Sequence, residues 1–143
     1  DPATDTWRTL PPAPLSRRIA DGVWTGSEVL ITAGRSGDGN GVMAFSDGAA
    51  YDPSTDTWRS LADGPAHPGF QPIWTGDRLI LFAKGGAVLY DPLTDRWTDF
   101  EADAPDHDDS SAVWTGSVAL LLGSYQGSTG GATFTPPLTP PMT

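Results

Sequence analysis

Seven residues occur three times in this chain in nearly the same form: Asp1-Pro2-Ala3-Thr4-Asp5-Thr6-Trp7, Asp52-Pro53-Ser54-Thr55-Asp56-Thr57-Trp58 and Asp91-Pro92-Leu93-Thr94-Asp95-Arg96-Trp97. A second marker follows these tryptophans by 17, 16 and 17 residues, as Trp24-Thr25-Gly26-Ser27, Trp74-Thr75-Gly76-Asp77 and Trp114-Thr115-Gly116-Ser117. Two markers held in phase over three copies define a structural repeat. Such units stack on their neighbours to bury a core that none of them buries alone.

Each unit reads as a four-stranded antiparallel meander, most clearly in the middle of the chain. Phe70 to Thr75 forms a first strand, and Gly76-Asp77 is a two-residue loop with Gly leading, the chemistry of a type II′ hairpin. Arg78 to Ala83 returns as a second strand. Its run Leu79-Ile80-Leu81-Phe82 does not alternate, which suits a strand covered on both faces. Ala87 to Tyr90 makes the third strand after the Lys84-Gly85-Gly86 loop. Asp91-Pro92 starts a tight turn, with Asp accepting from the backbone two residues on and Pro presetting its own φ. Arg96 to Phe100 is the fourth strand.

Composition agrees with an all-β chain of one domain. Of 143 residues, 17 are Gly and 14 Pro, more than a fifth of the chain, which leaves little room for long helices. With 38% apolar residues, the chain can build a core but offers no membrane span. Eighteen acidic residues against eight basic ones give a net charge of -10, which repels a phosphate backbone and argues against nucleic-acid binding. The absence of Cys removes disulfides, thiolate metal sites and a cysteine nucleophile. Seven Arg against one Lys favours, by composition, an exported bacterial protein of the periplasm or exterior.

The Tyr that stands seven residues before Trp (Tyr51 to Trp58, Tyr90 to Trp97), joined to Tyr-Asp-Pro-x-Thr-Asp-x-Trp and Trp-Thr-Gly, resembles the kelch repeat of β-propellers, bacterial kelch proteins in particular. The resemblance spans nearly the whole chain. It implies a partial kelch-type propeller of about three four-stranded blades: a blade end at 1–10, then blades at 11–61, 62–100 and 101–143. The Gly-Gly doublet that closes the second strand in that family appears here as Ala33-Gly34, Ala83-Lys84 and Gly123-Ser124. The last unit lacks the Tyr and Trp, reading Phe134-Thr135-Pro136-Pro137, and its four prolines from Pro136 to Pro141 cannot donate a hydrogen-bond ladder. The N-terminal segment Thr6 to Leu10 is therefore expected to be a fourth strand that completes a blade. Three blades are too few to close on themselves, so a homodimeric six-bladed ring or a piece of a longer propeller chain is expected.

Strand order sorts the connections into two ends. One end carries the Thr-Gly hairpins and the Asp-Pro-x-Thr-Asp turns, alike in every copy. The other carries the loops at 10–18, 60–68 and 100–109 and those after Gly34, Ala83 and Gly123, all of which differ. Variable loops on a rigid scaffold are where binding usually resides. Seven residues before each Trp of the second marker stand Arg17, His67 and His107, one structural position in three copies. In the resembling family that position faces the channel mouth, which implies a ligand-binding rim of these three with Arg18, Asp21, Phe70, Gln71, Asp108 and Asp109. Trp7, Trp58 and Trp97 have faces suited to stacking on sugars, but an aromatic repeated in every unit fits packing between sheets better. Trp24, Trp74 and Trp114 fit it better still.

No metal site or cofactor is expected. Asp38-Gly39-Asn40-Gly41 has part of a calcium-loop pattern without the closing acid, and His107-Asp108-Asp109 lies on extended chain where neighbours point apart. The copper oxidases of the resembling family use a linked Tyr and Cys, and this chain has no Cys. No catalytic pair with defined spacing stands out. The expectation is a binding or scaffold module that contacts a protein or glycan through its loop-bearing end, rather than an enzyme. The alternatives are a mutarotase-like channel-mouth enzyme acting on a sugar and an oligomeric lectin.

Overall fold

The computed structural model describes residues 1, 3–16, 18–37, 41–66, 71–83, 86–100, 108–125 and 128–136. Among them there is no helix. The first sheet is an antiparallel blade of β1 (Gly22–Trp24), β2 (Val29–Thr32), β5 (Gly48–Asp52) and β6 (Thr57–Leu61), interrupted after β2 by a separate hairpin of β3 (Arg35–Gly37) and β4 (Val42–Ala44). The second blade runs in the same order through β7 (Gln71–Trp74), β8 (Leu79–Ala83), β9 (Gly86–Asp91) and β10 (Arg96–Phe100). A third has β11 (Asp108–Trp114), β12 (Ala119–Tyr125) and β13 (Ser128–Phe134). First strands of successive blades, β1 with β7 and β7 with β11, lie against one another, so the blades fan out from a common inner edge.

The Trp-Thr-Gly marker is a turn closed by a side chain. Thr75 N–H donates to the Arg78 carbonyl at 2.9 Å, while Arg78 N–H is taken at 3.1 Å by the Thr75 hydroxyl rather than by a carbonyl. Thr25 with Glu28 and Thr115 with Val118 repeat the pattern. The expected type II′ bond is thus replaced by a threonine cap, which explains why Thr precedes Gly in all three copies. Gly26, Gly76 and Gly116 have φ of 105, 109 and 103°, where a Cβ is strained. The second turn behaves as its sequence predicts. Asp1, Asp52 and Asp91 accept through Oδ1 from the backbone two residues on, at 2.8 to 2.9 Å. Asp5, Asp56 and Asp95 take the left-handed region at φ 51 to 57°, which Asp tolerates better than most residues.

Pleating sends alternate residues of each strand to opposite neighbours. Leu30, Ala50 and Leu61 of blade one meet Leu79, Leu81 and Tyr90 of blade two. The opposite face of blade two carries Ile73, Ile80, Phe82 and Ala87 against Ala119 and Leu121 of blade three. Strand β8 is consequently buried on both sides, as its unbroken apolar run predicts: Leu79, Ile80, Leu81 and Phe82 are all buried.

A polar clasp sits at the margin of these contacts. Tyr51 pairs across the strands with Trp58, and Tyr90 with Trp97, with ring centroids 5.0 Å apart in both. Each tyrosine hydroxyl donates to the left-handed aspartate of its own turn, Asp56 or Asp95. Each indole N–H reaches back to the unit before: Trp58 to the Pro11 carbonyl and Trp97 to the Ala62 carbonyl, both at 2.9 Å. Ala62 N–H closes the second clasp on Asp95 at 2.9 Å. Its counterpart Pro11 has no N–H, and Arg8 supplies the missing donors instead, to Asp56 at 2.8 Å and to the Tyr51 hydroxyl at 2.8 Å. Arg59, the residue equivalent to Arg8, lies within reach of Tyr90 and holds Glu28 through two bonds of 2.7 and 2.9 Å.

Two expectations need correction. Residues 6–10 form no strand, because no third strand lies beside them as β5 lies beside β6. Trp7 accordingly stands 98% exposed, and Trp24 is 52% exposed, so neither packs between sheets as the repeat implied. Trp58, Trp74, Trp97 and Trp114 are half-buried, and the last three pack against the cores.

Trp97→Ala is expected to cost roughly 3 to 5 kcal/mol in urea melts through the cavity it leaves. Gly64→Ala is expected to lose part of that, since an added Cβ would lie 2.7 Å from the Trp97 ring. A second expectation concerns acid. The Ala62 N–H and the Tyr90 hydroxyl hold the Asp95 carboxyl below its ordinary range, and Tyr51 and Arg8 do the same for Asp56. A carboxylate depressed in the folded state stabilises above its unfolded pKa and loses that contribution as pH falls through the folded value. Urea midpoints should therefore drop from about pH 4 downward, and the drop should be shallower in Asp95→Asn. At the alkaline limit, burial and Asp95 push Tyr90 up to about 12, so its contribution is present below the ordinary tyrosine pKa and is lost only as pH rises through that value.

Candidate functional site

The Thr-Gly hairpins of all three blades and the Asp turns of blades one and two fall at one end, and the ends of β2, β6 and β8 with the starts of β1, β5 and β7 fall at the other. At that second end the backbone brings Asp21, just before β1, Gln71, the first residue of β7, and Asp108 and Asp109, which open β11, onto three neighbouring inner strands. Asp21 is exposed. Arg17, His67, Phe70 and His107 lie outside the described residues, as do Asp38, Gly39 and Asn40 of the partial calcium pattern.

Arg18 has a fully assigned environment. Its side chain is only 4% exposed and lies over the Phe45 ring, 4.1 Å from the centroid. Nη2 contacts both oxygens of the Asp47 carboxylate at 2.7 and 2.8 Å. Nη1 donates to the Ala33 carbonyl at 3.1 Å and to the Asp47 carbonyl at 3.2 Å, and Nε to the Ser16 carbonyl at 3.1 Å. The planar guanidinium fork suits this work in a way an ammonium would not. Ala33 and Asp47 are the points where the chain leaves the first blade and rejoins it, so Arg18 buckles the base of the β3–β4 insertion. With its donors committed there, Arg18 serves this buckle rather than projecting to the rim.

The departure itself is made by two left-handed residues, Ala33 at φ 55° and Gly34 at φ 96°. The rising hairpin is then knitted to the strand-one approach by paired bonds, Ile19 N–H to the Arg35 carbonyl at 2.7 Å and Arg35 N–H to the Ile19 carbonyl at 2.9 Å. Phe45 N–H returns to the Gly34 carbonyl at 3.1 Å. Register places Ile19, Arg35 and Ala44 in one cross-strand row, with Gly37 and Val42 on the same face and Met43 on the other. Ile19 is 70% exposed, Val42 66% and Met43 63%.

The sequence marked the connection after Gly34 as variable but not as a hairpin. Short runs flanking a Gly-rich centre, Arg35-Ser36-Gly37 and Val42-Met43-Ala44, were the available signal. Nothing local marked Phe45 and Asp47 as partners of Arg18, which come from separate parts of the chain. Chemically, this end presents the exposed apolar side chains of Ile19, Val42 and Met43 on a support held by Arg18, with the exposed Asp21 two residues along the chain from Ile19. Among the described residues no group of three His, Cys, Asp or Glu is placed to hold a metal ion.

No protein-family model matches this chain, and no curated protein does. Solved structures do. The chain is similar to the structure of YjhT with a TM-score of 0.71 and 15% sequence identity, over 94% of this chain and 57% of that one. It thus spans little more than half the length of that protein. The likeness, with antiparallel sheets fanning from their first strands, shows an all-β, propeller-like fold in which this chain supplies three blades.

Proposed function

We propose that this chain is a binding or scaffold module of the kelch type that contacts a protein or carbohydrate through the loop-bearing end of its blades. The observation that carries this reading is the inserted β3–β4 hairpin. Blade two joins its second and third strands by a short loop, whereas blade one inserts two extra strands there and spends a buried arginine on holding them. Ile19, Val42 and Met43 are left exposed on the result, and exposed apolar side chains on an ordered support are the usual anchors of a contact surface. In this reading Arg17, His67 and His107, with Asp21, Phe70, Gln71, Asp108 and Asp109, form the polar rim beside that hairpin.

Screening the chain against a glycan array and against immobilised protein libraries supplies a ligand on which to test the surface. Ile19→Glu and Val42→Glu are expected to leave stability within about 0.5 kcal/mol, as exposed substitutions do, and to weaken binding at least tenfold. Arg17→Ala, His67→Ala and His107→Ala should weaken it without unfolding. A ligand whose affinity survives all five changes overturns the reading, and turnover of a sugar by the wild-type chain would move it to the channel-mouth enzyme. Arg18→Ala should behave differently: unpairing the Ala33 and Asp47 groups is expected to cost roughly 2 to 3 kcal/mol. A melt unchanged by that substitution would show that the buckle does not hold the hairpin.

A further inference from the structure

The β3–β4 hairpin has one side of its backbone left open. In an antiparallel ladder, alternate residues of a strand direct their N–H and C=O groups to opposite sides. Arg35 exchanges both of its backbone bonds with Ile19, so Gly34 and Ser36 direct theirs the other way, toward β4. The bond from Phe45 N–H to the Gly34 carbonyl has that sense. Ser36 lies opposite Met43, which makes Met43 a residue that bonds inward. Val42 and Ala44, on either side of it, therefore direct their N–H and C=O groups away from β3. Among the described residues no strand pairs with β4 on that side.

The same line of outward groups is already used one step further on. Ser46 is the next outward residue after Ala44, and its carbonyl accepts the Gly64 N–H at 2.8 Å. Gly64 belongs to the connection between blades one and two, so this side of the hairpin faces that connection. Among the described residues no such bond reaches Ala44 or Val42. Edges meant to stay unpaired usually carry a charge, a proline or a bulge, and Val42-Met43-Ala44 has none of these. The strand is three residues long, so four backbone groups are on offer and side chains must add to them. Val42 on one face and Met43 on the other are 66% and 63% exposed, which gives an incoming strand apolar neighbours on both sides.

Given the hairpin's role as a contact element, on which this step rests, we propose that the outer edge of β4 takes up an extended segment of a partner protein, apolar and basic, as an added strand. An extended backbone presents N–H and C=O groups at the two-residue spacing of Val42 and Ala44, and a sugar does not. The basic character follows from charge. The chain carries -10, and Asp63, next to Gly64, and Asp21, near Ile19, are exposed.

The probe is a library of capped, fluorescein-labelled octapeptides in which Val, Ile or Thr alternates with Lys or Arg, with binding read by anisotropy. Saturable binding is expected, weakened about tenfold or more when Glu replaces the basic residues. Val42→Pro and Ala44→Pro each delete one outward N–H and leave the inward bonds of Met43 in place, a position where an edge strand tolerates proline. Each should keep the wild-type circular dichroism and weaken the best peptide about tenfold or more. Amide exchange of the wild type needs no variant: peptide should slow the Val42 and Ala44 amides about tenfold or more and change Met43, already bonded, far less. No binding by any peptide, equal binding of the Glu series, or binding that leaves Val42 and Ala44 exchange unchanged overturns strand addition. A glycan or folded-protein ligand that is lost in Ile19→Glu but survives both proline variants also overturns it, and leaves the contact surface standing.

Discussion

Everything in this fold hangs on one clasp between neighbouring sheets: an indole N–H that must find an acceptor. Trp58 and Trp97 are half-buried against a tyrosine, where an unpaired N–H is costly; Trp97 finds the first carbonyl beyond the fourth strand of the unit before, and Trp58 the equivalent carbonyl of Pro11. That bond sets the spacing and tilt of one blade on the next, and the apolar clusters then fill the space so defined. The left-handed aspartate serves its own turn and the tyrosine hydroxyl together, and in the second clasp it also takes a backbone N–H from the preceding unit. Where proline removes that N–H, Arg8 replaces it. The third blade loses both halves of the interaction together: Thr98 stands where Arg8 and Arg59 do, and Phe134, edge-on to Phe82 at 5.6 Å, stands where the tyrosines do. The tyrosine hydroxyl is thus lost where its arginine partner is lost, and the ring that remains packs partly buried against the apolar cluster.

This division of labour explains why the two ends of the blades differ so much. At the clasp end every side chain has a geometric duty, and little can change without disturbing the packing of sheets. At the other end the strands need only be joined, and loop closure grows costlier only slowly with length. Blade one uses that freedom for an extra hairpin. Its base is not left loose, however: one buried guanidinium ties the exit of the second strand to the start of the third and rests on an aromatic ring. A protruding element held that firmly loses little entropy when something binds to it.

The repeat made the architecture legible because its signals are local. An Asp-Pro turn, a Thr-Gly hairpin and an unbroken apolar strand each carry their geometry within a few residues, and Tyr and Trp seven apart are brought opposite by the turn between them. The fourth strand of blade two falls at Arg96–Phe100 as read from the residues alone, and β8 is buried on both faces as its pattern requires. The hairpin signal misled only in its hydrogen bonding, since nothing in a Gly-led loop says that the threonine hydroxyl will displace a carbonyl. For the site, the sequence identified which end varies and set Asp21 and the openings of β7 and β11 at one level. Arg18 was read as a rim residue because it stands next to Arg17 in the sequence.

What the chain determined by itself, then, is the unit: its strands, its turns and the order in which the units follow. What only the tertiary structure decided is what happens where the repeat breaks. Whether residues 6–10 become a strand depends on a partner edge, because a strand's hydrogen bonds belong to its neighbour and not to its own sequence. Whether a tryptophan is a packing element or an exposed face depends on the same thing, and Trp7 and Trp58 share a motif yet differ in burial. Arg18 turns inward because Phe45, Asp47 and the Ala33 carbonyl converge on it from separate stretches of chain, a convergence no local pattern encodes.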